Sequence, residues 1–333
     1  MKKNILLIGT GGTIACGETP GGLAPSFSAR ELMDFVPEIE DMCNAACIQP
    51  FNIDSAGISP SHWRSIVDIV RESYDRFDGF VITHGTDTMS YTAAALSYFI
   101  QNSAKPIILT GSQKPIGYDG SDVKTNLRDS FICACSDELC GVLVVFDGDV
   151  ISGTRLRKTD SKSLSAFESI NFPCIASVSG GRLTRYIDMK LSGRPDFCGQ
   201  PCADIGMMRM FPTVKRSQLE NMLSSCSGIV IESYGAGGFP VDRFKEQLER
   251  AFSNGAVIVM TIQAENGGSN LSSYSDGRRL CSYPRVLEGY DITTEAAVAK
   301  LMWALSRSDD IEEVRRMFYT PVQYDIFPPD CNI

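Results

Sequence analysis

Histidine is almost absent from this chain of 333 residues: only His62 and His84 occur. That leaves little room for a histidine metal cage or for several histidine-based proton relays. Long apolar runs are missing as well. The run Ile5-Leu6-Leu7-Ile8 is ended by Gly9, too short for a signal-peptide core or a bilayer span, and no later segment comes close either. A cytoplasmic protein without membrane contact is the expectation. Basic residues are the minority, 31 Lys and Arg against 40 Asp and Glu, for a net charge of -9. Nucleic-acid affinity rests largely on neutralising phosphates, so no nucleic-acid partner is expected. Cysteine is plentiful at 12, but Cys43/Cys47, Cys133/Cys135/Cys140 and Cys198/Cys202 lack Cys-x-x-Cys spacing and neighbouring histidines. They read as reduced thiols, with no metal site expected.

What is present is an ordinary globular balance, 43% hydrophobic and 21% charged. Short apolar runs alternate with helical periodicity from the start. Asn4–Ile8, Phe80–Thr83, Ile107–Thr110 and Val142–Phe146 read as strands. Ser28 caps a helix carrying Leu32, Phe35 and Val36. Ser59-Pro60 begins another, with Trp63, Ile66, Val67, Val70 and Tyr74 at helical spacing, and Val123–Ala134 reads as a third. Such alternation predicts a parallel sheet with helices on both faces. Around residues 186–214 glycines and prolines replace the periodicity. Helix 216–224, strand 228–232, helix 240–253 and strand 256–261 then resume it, and a last clear helix is capped by Thr293 or Thr294. The expectation is α/β with two domains: a larger one over 1–190, a linker over 191–212 and a smaller one over 213–333.

Ligands of open parallel sheets bind beyond the carboxyl ends of the strands. Four such ends carry the candidate chemistry: Gly9-Thr10-Gly11-Gly12-Thr13, Asp54-Ser55, Thr83-His84-Gly85-Thr86-Asp87-Thr88 and Thr110-Gly111-Ser112-Gln113. The first is not a dinucleotide fingerprint, because Ile14 stands where the third glycine belongs, and no Gly-Lys-Ser/Thr follows for a P-loop. Its backbone N–H groups can instead face an oxyanion, with Thr10 or Thr13 as attacking oxygen. Asp87 can cap the following helix or accept an ammonium, and Ser55 can meet a carboxylate. A threonine hydroxyl needs a base, and with histidine so scarce a lysine is the one to seek; His84 is the alternative. Together these groups suit hydrolysis of a small zwitterionic amide.

Thr10-Gly11-Gly12-Thr13-Ile14-Ala15 and Thr83-His84-Gly85-Thr86-Asp87-Thr88-Met89 resemble the two signature segments of bacterial-type L-asparaginases. Ser55 eight residues before Trp63, Thr110-Gly111-Ser112-Gln113 and Gly289-Tyr290-Asp291-Ile292-Thr293-Thr294 extend the likeness over nearly the whole chain, nearest the cytoplasmic, type I branch. The resemblance implies a flavodoxin-like N-terminal sheet, a Rossmann-like C-terminal domain and metal-free, cofactor-free hydrolysis of L-asparagine through a β-aspartyl ester. Thr13 would be the nucleophile, with Thr86, Lys158 and Asp87 as a second hydroxyl-base relay. Lys158 aligns by lying nine residues before Phe167. Asp87 would also hold the α-ammonium and Ser55 the α-carboxylate, with Asp54, Gly12, Gly85 and Ser112 completing the substrate site. A homodimer or homotetramer is implied.

One departure concerns the loop Gly17–Phe27, which lacks the tyrosine that many members place there to polarise the nucleophile. Tyr290 is the candidate substitute, and the loop's glycines and prolines suit a lid. The alternatives are a glutaminase-asparaginase of relaxed specificity, an idle asparagine or aspartate sensor, and a nicotinamide-dependent dehydrogenase. The asparaginase-like subunit of archaeal glutamyl-tRNA amidotransferases is also related. It carries an extra domain before its first motif, which is not expected here because Thr10 follows Met1 by nine residues.

Overall fold

A computed structural model describes residues 2–189, 191, 194–201 and 204–328. The chain divides into two compact units, 1–199 and 200–333.

In the first unit, five parallel strands are laid down in chain order as Lys3–Gly9, Cys43–Ile48, Gly79–Thr83, Pro106–Thr110 and Gly141–Phe146. Their order across the sheet is second, first, third, fourth, fifth, which is the flavodoxin-like winding. Four of these strands are near-continuous apolar runs because helices bury both faces. The sheet is not wholly parallel, however. Asp149–Ser152, Ala176–Ser179 and Arg182–Arg185 extend it antiparallel at one edge, and each is only four residues long, too short for periodicity to reveal.

Helices form where the capping chemistry placed them. Ser28 Oγ accepts from Glu31 N–H at 3.2 Å while Glu31 Oε2 accepts from Ser28 N–H at 2.8 Å, a reciprocal box that starts Ala29–Asp34. Ser59 precedes Pro60–Ser73, whose Trp63, Ile66, Val67 and Val70 are buried. Val123–Ala134 spans the expected residues.

In the second unit, Ile205–Arg209, Gly228–Ser233, Val257–Ile262 and Val286–Glu288 pair in chain order, all parallel. The first of them lies inside the expected linker: residues 205–209 are an edge strand of this sheet, concealed in the sequence by Gly206 and nearby prolines. Asp196–Phe197, also inside 191–212, belongs to the first unit and pairs there with Ile100–Gln101. Residues 192, 193, 202 and 203, Cys202 among them, lie outside the described residues. Thr293 caps helix Thr294–Arg307, its side chain accepting from Ala296 N–H, and a further helix follows at Ile311–Tyr319. Lys300 and Asp325, both fully buried, pair at 2.6 Å, and Lys300 also donates to Thr320 O. No helix among the described residues is long and apolar enough to cross a membrane.

Candidate active site

The first and third strands of the first unit are neighbours, although the chain visits the sheet edge between them. Such a reversal of winding opens a crevice beyond the carboxyl ends of the two strands. The two signature loops leave from these ends, one after Gly9 and the other after Thr83.

Backbone hydrogen bonds fasten the loops together. Thr10 N–H and Thr10 Oγ1–H both donate to Thr83 O, at 3.2 and 2.7 Å. Gly12 N–H donates to Ile53 O and Ile53 N–H to Thr10 O, which draws in the segment carrying Asp54 and Ser55. Gly11 and Gly12 have φ of 102° and 80°, a region that favours glycine. A Cβ on Gly12 would stand 2.3 Å from Gly85 Cα, so the loops approach at a distance that no side chain allows. Thr13 follows immediately, half-buried at the start of a short 3-10 turn.

A cleft of about 220 Å³ lies there, lined by Gly12, Thr13, Asp54, Ser55, Gly85, Thr86, Asp87 and Lys158 together with Cys16, Leu23, Pro25, Gln113 and Ser161. It is smaller than the roughly 300–1,000 Å³ of pockets for drug-sized ligands. Lys158 Nζ donates to Thr86 Oγ1 at 2.8 Å and to Asp87 Oδ1 at 2.7 Å. The Lys158 side chain is 18% exposed and that of Asp87 70%, so the ammonium is sheltered while the carboxylate remains open to a ligand. A basic stretch solvated throughout would not look like this, and Arg155 within it is fully buried. Strand Leu156–Lys158 pairs with Phe167–Ser169, placing Lys158 opposite Phe167. Asp54 Oδ1 accepts from Ala56 N–H at 2.9 Å, fixing the turn that begins at Ser55. Thr88 Oγ1–H donates to Ser55 O at 2.9 Å.

One expectation changes. Ser112 is fully buried, is not among the residues lining the cleft, and its hydroxyl has no hydrogen-bond partner among the described residues. The next residue, Gln113, lines the cleft instead and accepts from Thr86 Oγ1–H at 3.2 Å. On a turn, successive side chains diverge, and sequence does not say which one faces inward. Tyr290, the candidate auxiliary group, belongs to the second unit, where its ring meets that of Tyr319 with centroids 5.9 Å apart. The glycine- and proline-rich segment after Thr13 is a β-hairpin, Cys16–Thr19 with Gly22–Pro25, and Cys16, Leu23 and Pro25 line the cleft. It has no tyrosine of its own, but Tyr118 OH donates to Glu18 Oε1 at 3.0 Å from another loop.

His84 is no base. It is fully buried, and its Nδ1 lies 2.7 Å from Gly85 O while Nε2 lies 3.0 Å from Thr92 Oγ1, which accepts from Trp63 Nε1–H. A carbonyl only accepts, so Nδ1 carries the proton and Thr92 donates to Nε2. Burial pushes the imidazole down to about 4, against a weaker opposing effect of the Gly85 hydrogen bond. The unfolded chain takes up a proton near pH 6.5 that the folded chain refuses until about pH 4. His84 therefore contributes its full stability above that range and loses about 3 kcal/mol of it as the pH falls across it. Thermal unfolding in steps from pH 7 to 4 should show this decline, with a shallower slope for His84→Gln. Equal slopes would contradict the assignment.

Residues 4–190 match the family model "Asparaginase, N-terminal", and residues 204–318 match "Glutaminase/Asparaginase C-terminal domain". An L-asparaginase of Thermococcus kodakarensis is 38% identical over 317 residues, covering 94% of this chain and 96% of the relative. A glutamyl-tRNA(Gln) amidotransferase subunit from the same organism is 36% identical, over 98% of this chain and 77% of the relative. The crystal structure of L-asparaginase I from Vibrio cholerae superposes with a TM-score of 0.85 at 29% identity, covering 98% of this chain and all of that one.

Proposed function

The chain belongs to the asparaginase family of amidohydrolases, and we propose that it hydrolyses L-asparagine to L-aspartate and ammonia with Thr13 as nucleophile. The observation that carries this reading is Lys158 Nζ, which bridges Thr86 Oγ1 and Asp87 Oδ1 inside a cleft that Thr13 and Ser55 also line.

Asp87 accepts the α-ammonium of the substrate through its exposed carboxylate, and the Ser55 hydroxyl meets the α-carboxylate. With both ends of the amino acid held, the side-chain carboxamide is presented to Thr13. Thr13 Oγ1 attacks the amide carbon, its proton passes to the amide nitrogen as the C–N bond breaks, ammonia leaves, and a β-aspartyl ester remains. Water then cleaves the ester, restoring the hydroxyl and releasing aspartate. Thr86, hydrogen-bonded to Lys158, passes protons, because a neutral lysine amine is a base strong enough to draw one from a hydroxyl. Backbone N–H groups of the two glycine turns face the oxyanion that develops in each half-reaction. The reaction needs no metal or organic cofactor in this scheme. The acting form is a cytoplasmic homodimer or homotetramer.

The test is ammonia release by the purified protein from L-asparagine and from L-glutamine. The small cleft supports a preference for asparagine of about tenfold or more in kcat/KM, in line with the roughly 1–3 kcal/mol that one methylene decides. Equal rates on both would make the protein a glutaminase-asparaginase. Asparagine binding without hydrolysis would leave it an idle sensor.

A further inference from the structure

Gln113 has no part in the scheme above, yet it touches the relay. We propose that Gln113 is a positioning residue for Thr86: it holds the hydroxyl in one rotamer and directs its proton away from Lys158. The proposal rests on the hydrolytic reading for its kinetic consequences and on the geometry for its structural one.

Thr86 Oγ1 has a single proton and two lone pairs. Lys158 Nζ, with protons to give, occupies a lone pair at 2.8 Å. The Thr86 proton goes to Gln113 Oε1 at 3.2 Å. A side-chain amide could be turned end for end, but here Gln113 Nε2–H donates to Ser163 O at 3.0 Å. A carbonyl cannot donate, so the nitrogen must face Ser163 and the oxygen must face Thr86.

The amide is itself held from behind. Gln113 N–H donates to Asp122 Oδ2 at 2.9 Å and Lys114 N–H to Asp122 Oδ1 at 3.0 Å. Asn126, buried in helix Val123–Ala134, donates to the same Asp122 and to Gly111 O, each at 3.0 Å. On the other side, Asp160 Oδ1 accepts from Lys162 N–H and Ser163 N–H at 2.7 and 2.8 Å, fixing the carbonyl to which Gln113 donates. Every partner that sets the direction of Oε1 is thus fixed by another hydrogen bond, the arrangement that preorganisation requires. Between turnovers the hydroxyl keeps a lone pair toward the lysine, and a rotation about Cβ–Oγ1 brings the proton round when a neutral amine awaits it.

Two variants and two readouts test this. In Gln113→Leu the hydroxyl loses its acceptor, and kcat on L-asparagine should fall about five- to tenfold, the worth of one hydrogen bond, with KM within about twofold. Three-bond NMR couplings to the Thr86 γ-methyl should report one rotamer in the parent protein and averaging in Gln113→Leu. In Gln113→Glu an oxygen still accepts from the Thr86 hydroxyl, so the couplings should again report one rotamer. A Thr86 that keeps one rotamer in Gln113→Leu, or loses it in Gln113→Glu, overturns the assignment. The couplings are read without turnover, so an inactive parent protein would sink the hydrolytic reading and leave the positioning of Thr86 to be judged by its rotamer.

Discussion

Thr13→Ala should reduce kcat for L-asparagine by about 10³-fold or more, because the attacking oxygen is gone and no neighbouring group replaces a nucleophile. The loss should fall on turnover rather than on folding. Thr13 is half-buried on a short turn, and the substitution removes a hydroxyl and a methyl from the cleft wall without touching the glycine contact behind it. Ser55 and Asp87, which grip the ends of the amino acid in this account, are unaltered, so L-aspartate should still bind within about tenfold of its parent affinity. Ammonia release and calorimetric titration with L-aspartate measure the two quantities separately. A variant that keeps a tenth of the parent turnover would remove Thr13 from the centre of the chemistry.

Thr86→Val should be nearly as damaging, with kcat down about 10²- to 10⁴-fold, the range expected when a group that transfers protons is lost. Valine has almost the shape of threonine and the same branching at Cβ, so the side chain still fits. What disappears is the one atom that joins Lys158 Nζ to Gln113 Oε1. Thr86→Ser restores the hydroxyl without the methyl and should recover activity to within about tenfold of the parent. Steady-state kinetics on both, with melting temperatures as a check on folding, decide the matter. Should valine and serine prove equally active, Thr86 would be a packing residue and the lysine relay would have no hydroxyl to act on.

The strands most legible in the sequence were those buried throughout. Gly79–Thr83, Pro106–Thr110 and Gly141–Phe146 are buried at every residue and read as unbroken apolar runs. Cys43–Ile48 lies at the other edge of the same sheet, with most side chains exposed, and its cysteines and alanines carry no strand pattern. The hairpin at 16–25 is built from glycine, proline and polar residues, which read as loop even when a ladder joins them. Helix Ile311–Tyr319 did leave a signal, Val314, Met317 and Phe318 at helical spacing, but it is only nine residues long.

The site divides in the same way. The glycines of the two signature loops have a local cause, since only residues without Cβ allow Gly12 and Gly85 to meet. Lys158 has none. It stands 72 residues from Thr86 in a stretch that composition alone marks as basic surface, and only family likeness brought it to the cleft. Ser112 was expected at the cleft and Gln113 lines it in its place, because backbone angles that residue type does not encode decide which of two consecutive residues on a turn points inward.

The most direct test of the account is chemical quenching during a single turnover, followed by mass spectrometry of the digested protein. An aspartyl ester on the peptide bearing Thr13, absent when L-asparagine is omitted, is the expected result. An ester on Thr86 instead, or ammonia released in step with aspartate while no residue is ever acylated, would contradict it.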